Sequence, residues 1–379
     1  GLPVELGVEK EMGITKDDIG KTVSIEEYNA HCRSNVMKFT AEWENLSRLM
    51  GYWVDMKRPY ITYENYYIES VWWLLHNLYS QGLIYKGYTI QPYSPAAGTG
   101  LSSHELNMPG CYRDVKDTTV TAMFRMTSPQ GAFKTDWGET YFMAWTTTPW
   151  TLPSNTALCV GPKIDYVLVN TFNPYTSQPI SVVMAEARIA SYFNPAGAEA
   201  AMENYEKGGK ILPYRVVAHF KGTDLEGLKY EQLFAYVNPG EGAFRVILGD
   251  YVSTEDGTGI VHIAPTFGAD DAFVAKKAGV PALQLIDKNG NKRPMVDLKG
   301  RFYKLEDLDE DFKQKHMNVD LYKTYAGRFV KNAYDDKLTD KDETLDISIC
   351  MELKASGLAF RIEKHVHNYP HCWRTDKPI

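Results

Sequence analysis

Near residue 115 the spacing of apolar residues changes period, and nothing else in the chain constrains its fold as much. Before that point apolar residues recur every three or four positions. Tyr28, Cys32, Val36, Phe39, Trp43, Leu46 and Met50 draw one stripe along a helix over 24–50. Ser24 and Glu27 have the spacing of a capping box, and Gly51 follows the last turn. A second helix over 64–81 carries Tyr67, Val71, Leu74, Leu75 and Leu78 and stops at Gly82. Short strands are expected at 83–85 and 88–90, around Lys86 and Gly87. Pro92, Pro95, Gly98 and Gly100 then mark an irregular connection.

Beyond 115 the period is two. Val120, Ala122, Phe124 and Met126 alternate with polar residues, as in a half-buried strand. Further strands are expected at 141–145, 166–169, 180–184, 215–220, 244–248 and 259–263, with short helices near 186–193 and 270–278. Many short strands between Gly and Pro turns predict a barrel or a highly twisted mixed sheet. Charge-rich helical segments follow from about 304 to 357, with Gly327 and Gly357 as stops.

At 379 residues the chain exceeds one ordinary core, so two or three domains are expected. No apolar run approaches the roughly 20 residues of a membrane span, and no basic-then-apolar leader opens the chain. The chain begins Gly1-Leu2-Pro3 and ends Lys377-Pro378-Ile379, which reads as a piece of something larger. Five cysteines (32, 111, 159, 350 and 372) are scattered and never form Cys-x-x-Cys. That argues against a disulfide framework or a zinc knuckle and fits a reducing, cytoplasmic compartment. A net charge of -7 disfavours global attraction to nucleic acid, so a polyanion would need a local basic face. Arg361, Lys364, His365, His367, His371, Arg374 and Lys377, interleaved with Tyr369 and Trp373, suit RNA contact or a solvated face.

Two stretches carry candidate chemistry. The first, Trp145-Thr146-Thr147-Thr148-Pro149-Trp150-Thr151-Leu152-Pro153-Ser154-Asn155, packs four threonines and an asparagine into eleven residues. Threonine is stiff and its hydroxyl both donates and accepts, which suits a rigid pocket for a polar, uncharged substrate. The same residues also suit a strand entering a turn. The second stretch runs from Asp256-Gly257-Thr258-Gly259 through His262 to Asp270-Asp271. Gly-Thr-Gly allows close backbone approach before a strand that carries His262. Asp270 and Asp271 fall where a helix starts, so one can cap amides while the other pairs with an ammonium group. One histidine and two adjacent carboxylates, without a further ligand nearby, make a poor metal site.

Together these stretches resemble the editing domain of the isoleucyl-tRNA synthetase family, a branch of the class I aminoacyl-tRNA synthetases. Other segments agree. Residues 1–5 resemble the stretch after the first ATP-binding signature, and Pro59-Tyr60-Ile61-Thr62-Tyr63 and residues 87–93 resemble the helix and hairpin before the insertion. Residues 222–230 match an element shared by isoleucyl, valyl and leucyl enzymes. Tyr369-Pro370-His371-Cys372-Trp373-Arg374 resembles the strand returning from the insertion. Valyl and leucyl relatives share a Thr-rich strand but typically lack this His, which favours the isoleucyl branch. The charged stretch 304–357 resembles the subtype of eukaryotes and some bacteria. The departures matter equally. Neither His-x-Gly-His nor Lys-Met-Ser-Lys-Ser occurs, so the chain is not expected to activate an amino acid. No cysteine lies in 93–98 and Cys372 is followed by Trp-Arg-Thr, so no structural zinc is expected.

The resemblance implies a mixed α/β chain. A β-barrel-like editing domain, 115–345, would be inserted between helical and short-strand remnants of a split Rossmann-type catalytic domain. Those remnants would be 1–114 and the return segment 346–379. The implied activity is proofreading: hydrolysis of the ester of mischarged Val-tRNA(Ile), and of valyl-adenylate. A pocket that admits isoleucine rejects valine weakly, because one methylene is worth only about 1–3 kcal/mol, and this amino-acid pair is the usual illustration of that limit. The resemblance places Thr146, Thr147, Thr148 and Asn155 around the scissile ester and terminal adenosine. Trp145 and Thr151 would line the pocket, Asp271 would hold the ammonium group, and His262 would limit side-chain size. Asp270 would cap the following helix. Editing would need no cofactor, whereas ATP and Mg would serve only an intact ligase. The expected partners are the acceptor end of tRNA(Ile) and its valine moiety, with no membrane, the chain acting as a cytoplasmic monomer. The alternative is a tRNA-binding or structural module without hydrolytic activity.

Overall fold

The computed structural model describes residues 1–86, 89–206, 208–209, 211–339 and 341–379, except for the side chain of residue 204. The chain divides into two compact units, Gly1–Tyr88 and Thr89–Ile379. Among the described residues no helix is long and apolar enough to cross a membrane.

The first unit is helical: α1 (Leu2–Met12), α2 (Ile25–Val36), α3 (Thr40–Leu49) and α4 (Asn65–Ser80). Ser24 caps α2 by accepting the Glu27 amide at 3.1 Å, and α1 and α2 pack through buried Val8 and Tyr28. The single helix expected over 24–50 is broken. Phe39 leaves helical geometry, and the Thr40 hydroxyl donates to the Met37 carbonyl at 2.8 Å, satisfying a group the helix would otherwise have used. No residue of α3 or α4 is buried, so Trp43, Trp72 and Trp73 present apolar surface. Residues 83–86 and 89–90 form no strand, and positions 87 and 88 of the expected hairpin lie outside the described residues.

The second unit holds the β-structure. Besides two short two-residue ladders, Tyr93–Ser94 with Thr99–Gly100 and Leu285–Ile286 with Lys292–Arg293, its strands are β1 (Tyr112–Arg125), β2 (Glu139–Thr146), β3 (Ala157–Val160), β4 (Asp165–Phe172), β5 (Pro179–Ala185), β6 (Arg215–Lys221), β7 (Arg245–Leu248), β8 (Ile260–Ile263) and β9 (Ala359–Pro370). Six form one sheet in the order β9-β1-β2-β5-β4-β6, and three form another in the order β8-β3-β7. The pairs β2–β5 and β3–β7 are parallel and the other ladders antiparallel.

The expected barrel is corrected. Among the described residues both sheets are open, and the larger ends at β9 and β6. Short strands with Gly and Pro turns are common to barrels and open sheets, and closure depends on which distant strands pair. Here the last strand takes the edge beside β1, pairing Tyr112 with Pro370 and Ala122 with Ala359. The segment 346–379 is thereby joined to the same sheet as the Thr-rich strand. The expected half-buried strand at 120–126 is also different: residues 118–124 are all buried. Val120 and Phe124 enter a core shared with Leu158, Val160 and Val246 of the smaller sheet, while Met123 meets Met143, Val169, Phe193 and Phe360 on the opposite face.

Helix α5 (Ala269–Ala278) packs Val274 and Ala275 on Ala157, Ile247 and Ile263. Helix α6 (Leu345–Ala355) packs Ile349 and Leu353 against β1 and β9. Between α5 and α6 the charged stretch forms short helices, Glu310–His316 and Val319–Tyr322, and Gly327 and Gly357 both take positive φ, 78° and 73°. The segment linking β2 to β3 crosses from one sheet to the other, and β8 pairs along β3 with His262 opposite Leu158. This topology brings the two sequence motifs side by side.

Candidate functional site

The Thr-rich run starts as strand and ends as helix. After β2 the chain passes Thr147 and Thr148 into a 3₁₀ helix, Pro149–Ser154. Proline suits its first position, where no amide is needed. A chain of hydroxyls fixes the turn. Thr146 Oγ1 accepts the Thr148 amide at 3.1 Å and lies 3.3 Å from Thr148 Oγ1. Thr148 Oγ1 is 3.4 Å from Thr151 Oγ1, and the Thr151 hydroxyl donates to the Thr148 carbonyl at 2.8 Å. Thr151 Oγ1 also lies 3.0 Å from His262 Nε2.

That accounting assigns the histidine tautomer. Thr151 has one hydroxyl proton and spends it on the Thr148 carbonyl, so its oxygen must accept from His262 Nε2–H. Nδ1 is then the unprotonated nitrogen, and it has no hydrogen-bond partner among the described residues. Burial pushes the His262 pKa down from 6.5 to about 4, so the ring is neutral at neutral pH.

The opposite wall is the Gly-Thr-Gly turn. Gly257 and Gly259 have φ of 64° and 74°, which side chains rarely adopt. A Cβ on Gly259 would lie 2.4 Å from Ala185 Cβ, and one on Gly257 would lie 3.2 Å from the Trp145 ring. Between them Thr258 is buried, its hydroxyl donating to the Met143 carbonyl at 2.6 Å. The Tyr166 hydroxyl donates to the Gly259 carbonyl at 2.7 Å, and Arg188 Nε to that of Gly257 at 2.9 Å. Trp145 is held by its indole N–H, which donates to Thr119 Oγ1 at 3.3 Å.

A cavity of about 350 Å³ lies between these walls, lined by Trp145, Thr146 and Thr147 on one side and by Tyr251, Gly257–Gly259 and His262 on the other. A larger, more open groove of about 880 Å³ runs between 237–240 and 313–320. It shares no residue with either motif, and its Lys313 and Lys315 are paired with Glu310 and Asp311. The smaller cavity is the better candidate because it joins both motifs.

The expected site residues separate into three groups. Trp145, Thr146, Thr147 and His262 line the cavity, while Thr148 and Thr151 stand behind it in the hydroxyl chain. Asn155 is buried in the scaffold: its Nδ2 donates to the Ala157 carbonyl at 2.8 Å, and its Oδ1 accepts from Tyr230 at 2.6 Å. Asp271 and Asp270 open α5 and are not among the residues lining the cavity. Asp271 is half-buried and accepts the Ala264 amide at 2.8 Å, and burial raises its pKa. Asp270 is exposed and the cap expected of it is not made: α5 has no side-chain capping bond, and the Asp271 contact is to the Ala264 amide in the loop before the helix.

Sequence reasoning missed Tyr251, Tyr230 and Asp346. Asp346, on α6, accepts the Trp150 amide at 2.9 Å across 196 positions, which no local spacing could reveal. Among the described residues no group of three or more His, Cys, Asp or Glu is arranged to hold a metal ion.

The family of class I tRNA synthetases (I, L, M and V) matches residues 1–355. The chain is 71% identical over 379 residues to an isoleucine–tRNA ligase of Bacteroides fragilis and 65% identical over 380 residues to that of Porphyromonas gingivalis. In both cases all of this chain is covered, against 33% of the relative, so the chain spans about a third of the curated relatives it matches. It is also similar to the crystal structure of the cytosolic leucyl-tRNA synthetase editing domain of P. falciparum, with a TM-score of 0.36 and 12% identity over 66% of this chain and 99% of that one. The chain belongs to the class I tRNA synthetases of the isoleucyl, leucyl, methionyl and valyl group.

Proposed function

We propose that this chain is the proofreading part of an isoleucine–tRNA ligase and hydrolyses the ester of mischarged Val-tRNA(Ile). The observation that carries the reading is the small cavity itself, in which hydroxyl and imidazole groups from both motifs face each other, with Asp256 as the one carboxylate of its lining and no thiol or lysine among it. Its volume of about 350 Å³ falls at the small end of ligand pockets. An aminoacyl ester is already activated, so a positioned water suffices as the nucleophile, and proximity supplies much of the rate. Hydroxyls of Thr146 and Thr147 and nearby backbone amides would stabilise the oxyanion that forms when water attacks the carbonyl. His262, neutral and held by Thr151, would bound the side-chain space, and Asp271 would pair with the substrate ammonium group. The acceptor end of tRNA(Ile) would deliver the ester. This step needs no cofactor; ATP and Mg belong to the ligase reaction of the longer relatives.

The alternative, a module that only presents tRNA, has less support. The C-terminal basic residues it would use are engaged within the protein. His367 contacts Asp117, Arg374 pairs with Glu105, Lys377 pairs with Asp336, and Arg361 donates to the carbonyls of Ser191 and Tyr192.

The test is single-turnover hydrolysis of Val-tRNA(Ile) with Ile-tRNA(Ile) as control. Selective loss of the valyl ester, slowed by Asp271→Ala, supports the proposal. Tight binding of the acceptor stem without hydrolysis of either ester would favour the presenting module.

A further inference from the structure

The Thr-rich turn is held from outside by a buried carboxylate. Pro149 has no amide, so Trp150 N–H is the first free donor of the 3₁₀ helix, and Asp346 Oδ1 accepts it at 2.9 Å. Thr148, at the position where a cap would sit, makes no side-chain capping bond there. Asp346 is 3% exposed and lies in the first turn of α6, where the helix dipole favours a carboxylate.

The cation that balances Asp346 is shared. Lys331 Nζ lies 3.9 Å from Asp346 Oδ2 and 2.7 Å from Asp117 Oδ2, and sits 4.6 Å above the Tyr369 ring. Beyond its amide, Trp150 makes an edge-on ring contact with Phe267 at 4.9 Å. Phe267 belongs to the loop whose Ala264 amide binds Asp271. The next residue after Trp150 is Thr151, which holds His262. Trp150 therefore joins α6 to the loop after β8 and stands one residue before the Thr151–His262 contact, and its amide is fixed by Asp346.

We propose that Asp346 is a positioning residue for the ester-hydrolysing site, clamping the Thr148–Ser154 turn through the Trp150 amide so that the Thr151–His262 contact keeps its geometry. The inference rests on the hydrolytic reading above but makes a structural demand of its own. A hydrogen bond to a buried carboxylate is strong and its loss is local, so the effect falls on turnover more than on substrate binding.

The test compares Asp346→Asn, which keeps an acceptor oxygen at the same place, with Asp346→Ala, which removes it. Two readouts are followed: hydrolysis of Val-tRNA(Ile), and hydrogen exchange of the Trp150 amide. Asp346→Ala is expected to lower kcat by about tenfold or more with KM little changed, and Asp346→Asn to recover most of that loss. Trp150 amide protection should fall in the order Asp, Asn, Ala while β7 and β8 stay protected. A parent-like kcat in Asp346→Ala, or an Asp346→Asn variant as slow as Asp346→Ala, overturns the proposal. If the unmodified chain hydrolyses no ester, the hydrolytic reading fails, and the exchange order alone decides the clamp: equal Trp150 exchange in all three proteins overturns it.

Discussion

Acidifying the protein should cost it a defined amount of stability through His262 alone. Folding holds this imidazole at about 4 instead of 6.5 because the ring is buried and its one contact, Thr151, offers no charge. The unfolded chain takes up a proton near pH 6.5, while the folded chain resists until about pH 4. Between these values the unfolded state binds more protons, so stability is fully present above 6.5 and is lost as pH falls towards 4. At about 1.4 kcal/mol per pH decade, that interval amounts to about 3 kcal/mol. The perturbation is His262→Gln, which removes the titrating group but keeps a polar side chain. Urea unfolding followed by tryptophan fluorescence, stepped from pH 7.5 to pH 4, yields the stability difference between parent and variant at each pH. Asp346, raised to about 7, and Asp271, raised by burial, are common to both proteins and largely cancel. The parent should lose about 3 kcal/mol more than the variant across the window. Parallel curves, with a constant difference from pH 7.5 to pH 4, would refute the reasoning.

Three other perturbations probe the scaffold. Thr151→Val strands the His262 Nε2–H, while the Thr148 carbonyl keeps the Thr151 amide at 3.0 Å, and should cost about 1–3 kcal/mol by urea unfolding. Thr148→Val loses only contacts of 3.3 and 3.4 Å at a half-exposed position and should cost under about 1 kcal/mol. Gly259→Ala places a methyl group 2.4 Å from Ala185 Cβ at φ 74°, so a destabilisation of at least about 2 kcal/mol is expected, read from the denaturation midpoint. Burial raises the Asp346 pKa to about 7 despite Lys331 and the Trp150 amide, with Asp117 adding to the rise and Lys364 opposing it. Ionising Asp346 therefore costs stability as pH climbs from 3.8 towards 7, and Asp346→Asn should gain on the parent by about 3 kcal/mol between pH 5 and pH 8. A gap that stays constant would assign Asp346 an ordinary carboxylate pKa.

Local patterning was enough for β2, β4, β5, β7 and β8, apolar runs bounded by Gly, Pro or Asp, but not for β3, the four-residue strand at Ala157–Val160 that pairs with the His262 strand. β9 and the first half of β1 escaped because Arg113, Asp114, Lys116, Lys364 and Asn368 pair through backbone on an exposed ladder, where alternation carries no signal. Barrel closure was unreadable because it depends on distant strand pairing. At the site, residue type singled out the Thr-rich run and His262 but equally suited a strand entering a turn, and their meeting across 111 positions depends on the pairing of β3 with β8. Asn155 was not distinguishable from a pocket residue, because the Tyr230 hydroxyl that claims it comes from 75 positions away. Which of Asp270 and Asp271 turns inward depends on the phase of α5, which adjacent identical residues do not reveal.

The central claim is that the cavity between the Thr-rich turn and the Gly-Thr-Gly turn takes a valyl ester. The most direct measurement is an NMR titration of this chain with a non-hydrolysable valyl-adenosine analogue, following the Trp145 indole N–H, the Gly257 and Gly259 amides and the His262 ring. The account predicts saturable shifts at all of these with the valyl analogue and far weaker ones with the isoleucyl analogue. Shifts confined to the groove near Val237 and Lys313, or none at either place, would contradict it.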